Sequence, residues 1–436
     1  MRSASWRKRI TALGLVTVAA VMVTACSSTN SANSATTAPG GSGGSSSIPQ
    51  SAFSDRTGIT NTTVHVANVS TLTGGLFKGA AVGTQAYADY VNSTGGVKGR
   101  TIVVDSGDDL FQGATNTQLT NSAVSNSFSL VGSFSLEDQF GGVVLKRNPG
   151  MPDVSVSLDP TTLHLPNVFS PAPSPGGWQE GSLQYFKSKY PKDITVAGAL
   201  VADEPSAETD WNGEKYVMEQ VGYKVVYDQT FAITQTDFTQ NVIAMRNAGV
   251  KMLFIEQMPA NYASGVLKAL QQQNFHPTVI LGASTYSNQL VSDSGGAAAV
   301  NGSYLDQNAS LYLGGDSSAI PAVGTFLHWV QVASPGFQPD LFTLYGWISG
   351  ELFAQGLGNA GSNPSRGSLL QSLEKITSFN GNNIEATVNP VAKTLSNCYL
   401  IGQVVNGQFQ RLDDPPVNSS TNGYRCDYQY VTPPKS

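Results

Sequence analysis

Between Val64 and Asp109 the apolar positions change period twice. Val64, Val66 and Val69 belong to an apolar, β-branched run of strand character. The run breaks at Thr73-Gly74-Gly75, after which Val82, Ala86 and Tyr90, with Tyr87 and Val91 beside them, recur at helical spacing. Gly95-Gly96 stops that helix, because glycine alone takes the left-handed conformation cheaply past a helix end. A second apolar run, Ile102 to Val104, follows and closes in Asp105 to Asp109. Strand, glycine turn, helix, glycine stop and strand make one βαβ unit.

The same alternation continues along the chain. A helix is expected over Gln112–Val124, a strand over Phe128–Val131, a helix over Asp138–Lys146 and a strand over Val154–Ser157. Past Phe169-Ser170-Pro171 the unit repeats. Strand Ile194–Val201 leads to a helix from about Glu208 to Val221, stopped by Gly222, and then to strand Lys224–Tyr227. Strand Lys251–Ile255, helix Tyr262–Gln272 and strand Thr278–Leu281 follow, and Ile320–Val332 and Thr343–Leu357 read as helices with apolar faces. Asn406-Gly407 after the run Tyr399–Val405 is a hairpin signal. Strands alternating with helices predict α/β architecture with parallel sheets, and 436 residues suffice for two cores.

The N-terminus changes the picture of where such a chain works. Arg2, Arg7, Lys8 and Arg9 precede an apolar stretch, Ile10 to Val23, shorter than the ~20 residues of a membrane span. Val23-Thr24-Ala25-Cys26 resembles a bacterial lipobox, which makes residues 1–26 a lipoprotein signal peptide and Cys26 the lipidated mature N-terminus. The alternative is an ordinary secretory cleavage site with an incidental cysteine. Residues 27–57 are a low-complexity tether that cannot bury enough apolar surface to order, with a root-mean-square reach of ~30 Å. In an exported protein the remaining pair, Cys398 and Cys426, most simply forms a disulfide.

Charge and composition mainly exclude. Only 12% of residues are charged and the net charge is −6, so no nucleic-acid footprint is expected. Four scattered histidines and three cysteines offer no metal-ligand spacing, so neither a metal nor a cofactor is implied. No activated nucleophile or paired-carboxylate pattern supports hydrolase chemistry, and the chain reads as a non-enzyme.

Taken jointly, Ser70, Leu72-Thr73-Gly74, Tyr90-Val91-Asn92, Gly95-Gly96-Val97, Gly99-Arg100, Ile102 and Asp108-Asp109 resemble type I periplasmic binding proteins of the branched-chain amino-acid (Leu/Ile/Val) class. Thr236-Asp237-Phe238 with Ala248-Gly249 extends the likeness, which covers nearly all of residues 58–430. The resemblance implies two Rossmann-like lobes around a central ligand cleft, 58–170 with 309–390 and 171–308 with 391–430. Three crossings near Ser170, Asn308 and 388–393 would form the hinge. It further implies a monomeric, lipid-anchored solute-binding protein on the extracytoplasmic face of the cell membrane. Such a protein hands a small molecule to an ABC permease; a ligand sensor docking to a membrane receptor is the competing reading.

Ligand contacts carry over onto this chain with several departures. Phe77 falls where relatives place an aromatic lid, with first-turn helix core as the equal alternative. Ser133, Ser135 and Leu136 occupy the turn that holds the family's ligand-binding serine, Leu136 taking its position. Ser157 and Asp159 lie in the next turn, Asp159 standing at the usual threonine. Ser206 replaces a frequent tyrosine, and Tyr262 lies close to the position of another. Ser284 stands where amino-acid binders carry the acid that pairs the α-ammonium, with Tyr286 beside it. Glu256 and Asp159 are either substitute counter-charges or solvated caps, and Trp178 and Trp211 read as core or hinge packing. With the ammonium partner missing, the expected ligand is not a plain aliphatic amino acid. A small polar amide, an organic acid or an aromatic carboxylate suits better, held by Ser133, Ser135 and Ser157 between walls of Phe77, Tyr262 and Tyr286.

Overall fold

The computed structural model describes residues 48–173 and 176–434. The residues read as a signal segment, with Cys26, and residues 27–47 of the expected tether lie outside them; the rest of that tether is folded, since Gln50–Phe53 form a 3-10 helix with Ala52 buried and Asp55 pairs with Arg366 at 2.9 Å. The first half of the chain runs β1 (Thr63–Ser70), α1 (Lys78–Ser93), β2 (Thr101–Asp108), α2 (Gly113–Asn126), β3 (Ser129–Val131), α3 (Asp138–Arg147), β4 (Asp153–Val154) and the single turn α4 (Pro160–Leu163). Its four strands are all parallel, in the order β2-β1-β3-β4, and β1 and β2 pair in register from Thr63 opposite Thr101 to Ser70 opposite Asp108. The glycine stop after α1 is required by space as well as by conformation. Gly96 has φ 71°, and a Cβ there would stand 2.1 Å from the Arg100 carbonyl oxygen. The fourth strand is two residues long instead of reaching Ser157, because the Ser133 N–H donates to the Ser155 hydroxyl (3.0 Å) where a ladder bond would continue.

After β5 (Trp178–Gln179) come α5 (Glu180–Lys189), β6 (Ala197–Ala202), α6 (Pro205–Val221), β7 (Val225–Phe231), α7 (Thr239–Asn247), β8 (Met252–Ile255) and α8 (Ala260–Gln272). Next follow β9 (Thr278–Gly282), α9 (Asn288–Asp293), α10 (Ala297–Val300) and β10 (Tyr304–Gln307), then α11 (Pro321–Ala333), α12 (Leu341–Asn359) and α13 (Arg366–Leu373). The chain ends in β11 (Leu400–Val405), β12 (Gln408–Arg411) and β13 (Tyr430–Val431). The second sheet has the order β12-β11-β10-β9-β8-β6-β7, parallel from β7 to β10 and antiparallel at β11 and β12. β5 and β13 form a separate antiparallel pair. Several elements escape the periodicity argument, α5, β10 and α13 among them. In α5 only Leu183 and Phe186 supply large fully buried apolar side chains, α13 is a short helix, and β10 carries the polar pair Asp306 and Gln307 inside a buried strand.

After β10 the chain returns to the first sheet, where α11 and α12 pack on α1. The approach of α12 to α1 is too close for any side chain at its centre. A Cβ on Gly83 would stand 1.9 Å from the Thr343 carbonyl oxygen, and one on Gly346 would stand 2.1 Å from that of Ala80. Tyr87 then meets Trp347 edge to face at 5.0 Å. At the crossing expected near Asn308 the chain leaves the second sheet directly after β10. There Ala309 bridges Glu385, with the Ala386 N–H donating to Asn308 (2.7 Å) and the Ser310 N–H to Ile384 (2.8 Å). Lys393 lies 4.9 Å from the centre of the Phe169 ring, which brings the segments near 169 and 393 together. Cys398 and Cys426 are joined by a disulfide, one residue either side of the antiparallel bridge between Tyr399 and Arg425.

Candidate functional site

The residues that follow the C-terminal ends of β1, β3, β4, β6, β8, β9 and β10 line one cavity of about 420 Å³. Ligands of open α/β sheets bind at that end of the strands, where turns and helix starts expose polar groups. The first turn is held by the two acids that close β2. Asp108 accepts from the N–H groups of Leu72 (2.9 Å) and Thr73 (3.2 Å) and from the Thr73 hydroxyl (2.5 Å). Asp109 accepts from Thr71 (2.9 Å), Asn116 (3.0 Å) and Ser135. This tie sets the path of the chain into Leu76 and Phe77, so the spacing between Thr71-Leu72-Thr73 and Asp108-Asp109 is a scaffold for the cleft.

Six of the ten positions inferred from the sequence line the cavity: Phe77, Leu136, Ser157, Ser206, Tyr262 and Ser284. Phe77 lines the cavity, and its ring packs on Phe134 (4.8 Å) and Phe342 (4.6 Å). The Ser157 hydroxyl donates to Asp138 (2.7 Å), and that of Ser284 bonds the carbonyls of Glu256 and Met258, each at 2.8 Å. Tyr262 donates to the Ile233 carbonyl (2.8 Å).

The other four positions lie elsewhere. Ser133 accepts from the Val69 N–H (3.0 Å) and Ser135 from the Glu137 N–H (2.8 Å), and both line a separate cavity of about 40 Å³ beside Asp138 and Asp153. Asp159 caps α4, accepting from the Thr162 N–H and hydroxyl at 2.7 Å each. Tyr286 is a core residue, edge-on to Tyr312 and Phe409 at 4.8 Å each. The serine hydroxyls expected to hold a carboxylate are therefore spent on the protein's own groups or lie outside the cavity.

What the periodicity argument missed is the aromatic wall and the polar floor. Phe134 and Phe342 line the cavity with Phe77, their centroids 5.0 Å apart, and Tyr345 joins them. Phe342 and Tyr345 come from the start of α12, whose N-cap Asp340 and Thr343 satisfy each other as a capping box. Trp178 lines the cavity as well, whereas Trp211 is core, its indole N–H donating to Asp228 (2.7 Å). From the second sheet come Glu256 at the end of β8 and Asp306 in β10, each 5% exposed, with Glu214 of α6 completely buried behind. The Gln179 amide donates to Asp306 (2.8 Å), and that of Gln257 to Glu214 (3.1 Å). Burial first, and then the neighbouring Glu214, hold Glu256 well above the usual carboxylate range. Burial pushes Asp306 up to about 7.

Two sheets presenting their strand ends to one cavity, with the chain passing repeatedly between them, define a two-lobed α/β protein built to enclose a small molecule. The chain belongs to the periplasmic binding protein family, whose model matches residues 63–408. It is similar to the Leu/Ile/Val-binding protein homolog 7 of Brucella melitensis, 23% identical over 244 residues. That match spans 52% of this chain and 59% of the relative's length. Among solved structures it is similar to a fatty acid ABC transporter substrate-binding protein from Thermomonospora curvata, with a TM-score of 0.67 and 16% identity over 87% of this chain and 95% of that one. A branched-chain amino acid transporter substrate-binding protein from Streptococcus pneumoniae, in complex with isoleucine, gives a TM-score of 0.64 and 17% identity over 80% and 99% of the two chains. A solute-binding protein of an ABC transporter from R. palustris, in complex with benzoate, gives 0.68 and 15% over 85% and 98%. At these identities the likeness is one of fold.

Proposed function

We propose that this protein is a lipid-anchored, extracytoplasmic solute-binding protein that captures a small molecule in its interlobe cleft and delivers it to an ABC permease. Cys26 carries the lipid, the tether gives the binding body its reach, and the lobes are 58–170 with 309–390 and 171–308 with 391–430. The protein acts as a monomer and does no chemistry on its ligand. The observation that carries this reading is the cavity of about 420 Å³, lined from both sheets and large enough for a small organic molecule. Paired backbone at Ala309 and Glu385 supports a hinge there, about which the lobes close on the ligand. The test is a thermal-shift screen over amino acids, organic acids, amides, aromatics and amines. A ligand present at 100 times its Kd stabilises the folded chain by about 2.7 kcal/mol. A saturable rise in Tm with one chemical class is the expected result. No rise with any class would refute capture, and capture without ligand-dependent docking to a permease would refute delivery.

A further inference from the structure

Resting on that reading of the cleft as a capture site, we infer that its ligand is an apolar molecule carrying a protonated amine and no carboxylate, with the ammonium held at Glu256, Gln179 and Gln307 and the body against the Phe77, Phe134 and Phe342 rings. Three observations converge on this chemistry.

The first is the sign of the wall. Among the described residues that line the cavity there is no lysine, arginine or histidine, while Glu204, Asp210, Glu256 and Asp306 all do. A carboxylate entering such a site would lose its hydration and meet no basic side chain in exchange, which costs several kcal/mol.

The second is the hydrogen-bonding balance. Gln179 and Gln307, which line the cavity, each hold a buried Oε1 that no protein donor reaches, while the Glu256 carboxyl shares a hydrogen bond with the Glu214 carboxyl. The amide orientations are set by the protein, since Gln179 donates to Asp306 and Gln307 donates to the carbonyls of Ala309 and Ser310 at 2.9 Å each. Their oxygens are therefore acceptors on geometric grounds. Against them stands a single buried donor without a protein acceptor, the Trp178 indole N–H. An ammonium brings three donors and no acceptor, which suits this imbalance.

The third is the opposite wall. Three phenyl rings with centroids 4.6 to 5.0 Å apart present apolar surface that rewards a hydrocarbon body. Ser133 and Ser135 are absent from that side, where Leu136 and Phe134 line the cavity instead, and the Ser157 hydroxyl there is donated to Asp138. Without ligand, the raised Glu256 and Asp306 carboxyls retain protons at mildly acid pH. An ammonium displaces those protons, so its affinity rises with pH.

The experiment is calorimetric titration of the purified full chain with three probes that share one body: 4-phenylbutylamine, 4-phenylbutanoate and 4-phenylbutanamide. The amine is expected to bind about tenfold or more tightly than either companion, the advantage of charged over unmade hydrogen bonds. Its affinity should increase from pH 5 to pH 8 in the unmodified protein, and Glu256→Gln should remove most of the preference for amine over amide. Tighter binding of 4-phenylbutanoate, or an amine affinity that falls as pH rises, overturns the inference while leaving capture intact. If none of the three probes binds, the inference falls, and the wider thermal-shift screen decides whether capture falls with it.

Discussion

Gly346 lies where α12 crosses α1, and its replacement by alanine sets two effects of opposite sign against each other. In the interior of an exposed helix, Gly→Ala is stabilising by about 1 kcal/mol, because alanine loses less backbone entropy on folding. At Gly346 the added methyl would stand 2.1 Å from the Ala80 carbonyl oxygen and 2.7 Å from the Thr84 nitrogen, while ordinary contact begins at 3.4 Å. Both obstacles are backbone, so no rotamer change relieves them and the helices must separate. Overpacking of this kind costs about 1–3 kcal/mol, and more where backbone moves. The net expectation is a loss of about 2 kcal/mol. With an unfolding entropy of about 2.1 cal/mol/K per residue, a chain of this size loses about 2–3 °C in Tm. Gly324→Ala in α11 is the control, since a Cβ there meets nothing within 4 Å and propensity acts alone. Differential scanning calorimetry of both variants beside the parent protein is the assay. Because α12 also carries Phe342 and Tyr345 to the cavity, Gly346→Ala should weaken ligand binding too, whereas Gly324→Ala should not. A Tm for Gly346→Ala equal to or above that of the parent would refute the packing argument.

Other outcomes follow from the same structure. Asp138 and Asp153 are pushed up to about 6, and Asp306 and Glu351 to about 7, chiefly by burial, so each holds a proton more firmly folded than unfolded. Their stabilisation is complete below the unfolded carboxylate range and is lost as pH rises through 6 and 7. The unliganded Tm should therefore fall between pH 5 and 7.5, and a flat or rising profile in a pH-resolved thermal melt would contradict this. Lys393, lowered to about 8 by burial, acts in the opposite sense, its charging being the unfavourable event, and should oppose any further loss above pH 8. Cys398→Ser with Cys426→Ser should cost about 3–4 kcal/mol for a loop of sequence separation 28, read from a denaturant midpoint. Cys26→Ala should release the protein into the medium or block its processing, and unchanged membrane retention would mean another anchor.

Periodicity was enough for the frame because each βαβ unit changes its apolar period at a glycine or an acid. The glycine stop at Gly95-Gly96 and the αL cap at Gly222 (φ 105°) are positions where other residues strain, so they read directly off the chain. β10 did not read as a strand for the opposite reason. Its buried Asp306 accepts from Gln179 and its Gln307 amide N–H donates to carbonyls of the following crossing, contacts made only once the chain has folded. Short elements with few large apolar residues, such as α13, escape the same argument.

The site was legible in its places but not in its chemistry. Each turn that holds a ligand position read from the sequence contributes lining residues, because the end of a parallel sheet where ligands bind follows from topology alone. Which side chains are free to meet a ligand does not follow from topology. Ser133 and Ser135 look like ligand hydroxyls in the sequence, yet the structure uses them against the backbone N–H groups of Val69 and Glu137, and that competition depends on neighbours distant along the chain. The missing acid at Ser284 was read as a missing counter-charge. In the folded protein Glu256, at the end of the adjacent strand β8, lies directly against that position, since the Ser284 hydroxyl bonds the Glu256 carbonyl at 2.8 Å. A parallel sheet places neighbouring strand ends side by side, so an acid absent from one turn has its nearest equivalent at the end of the next strand, where the sequence offered Glu256 as a substitute.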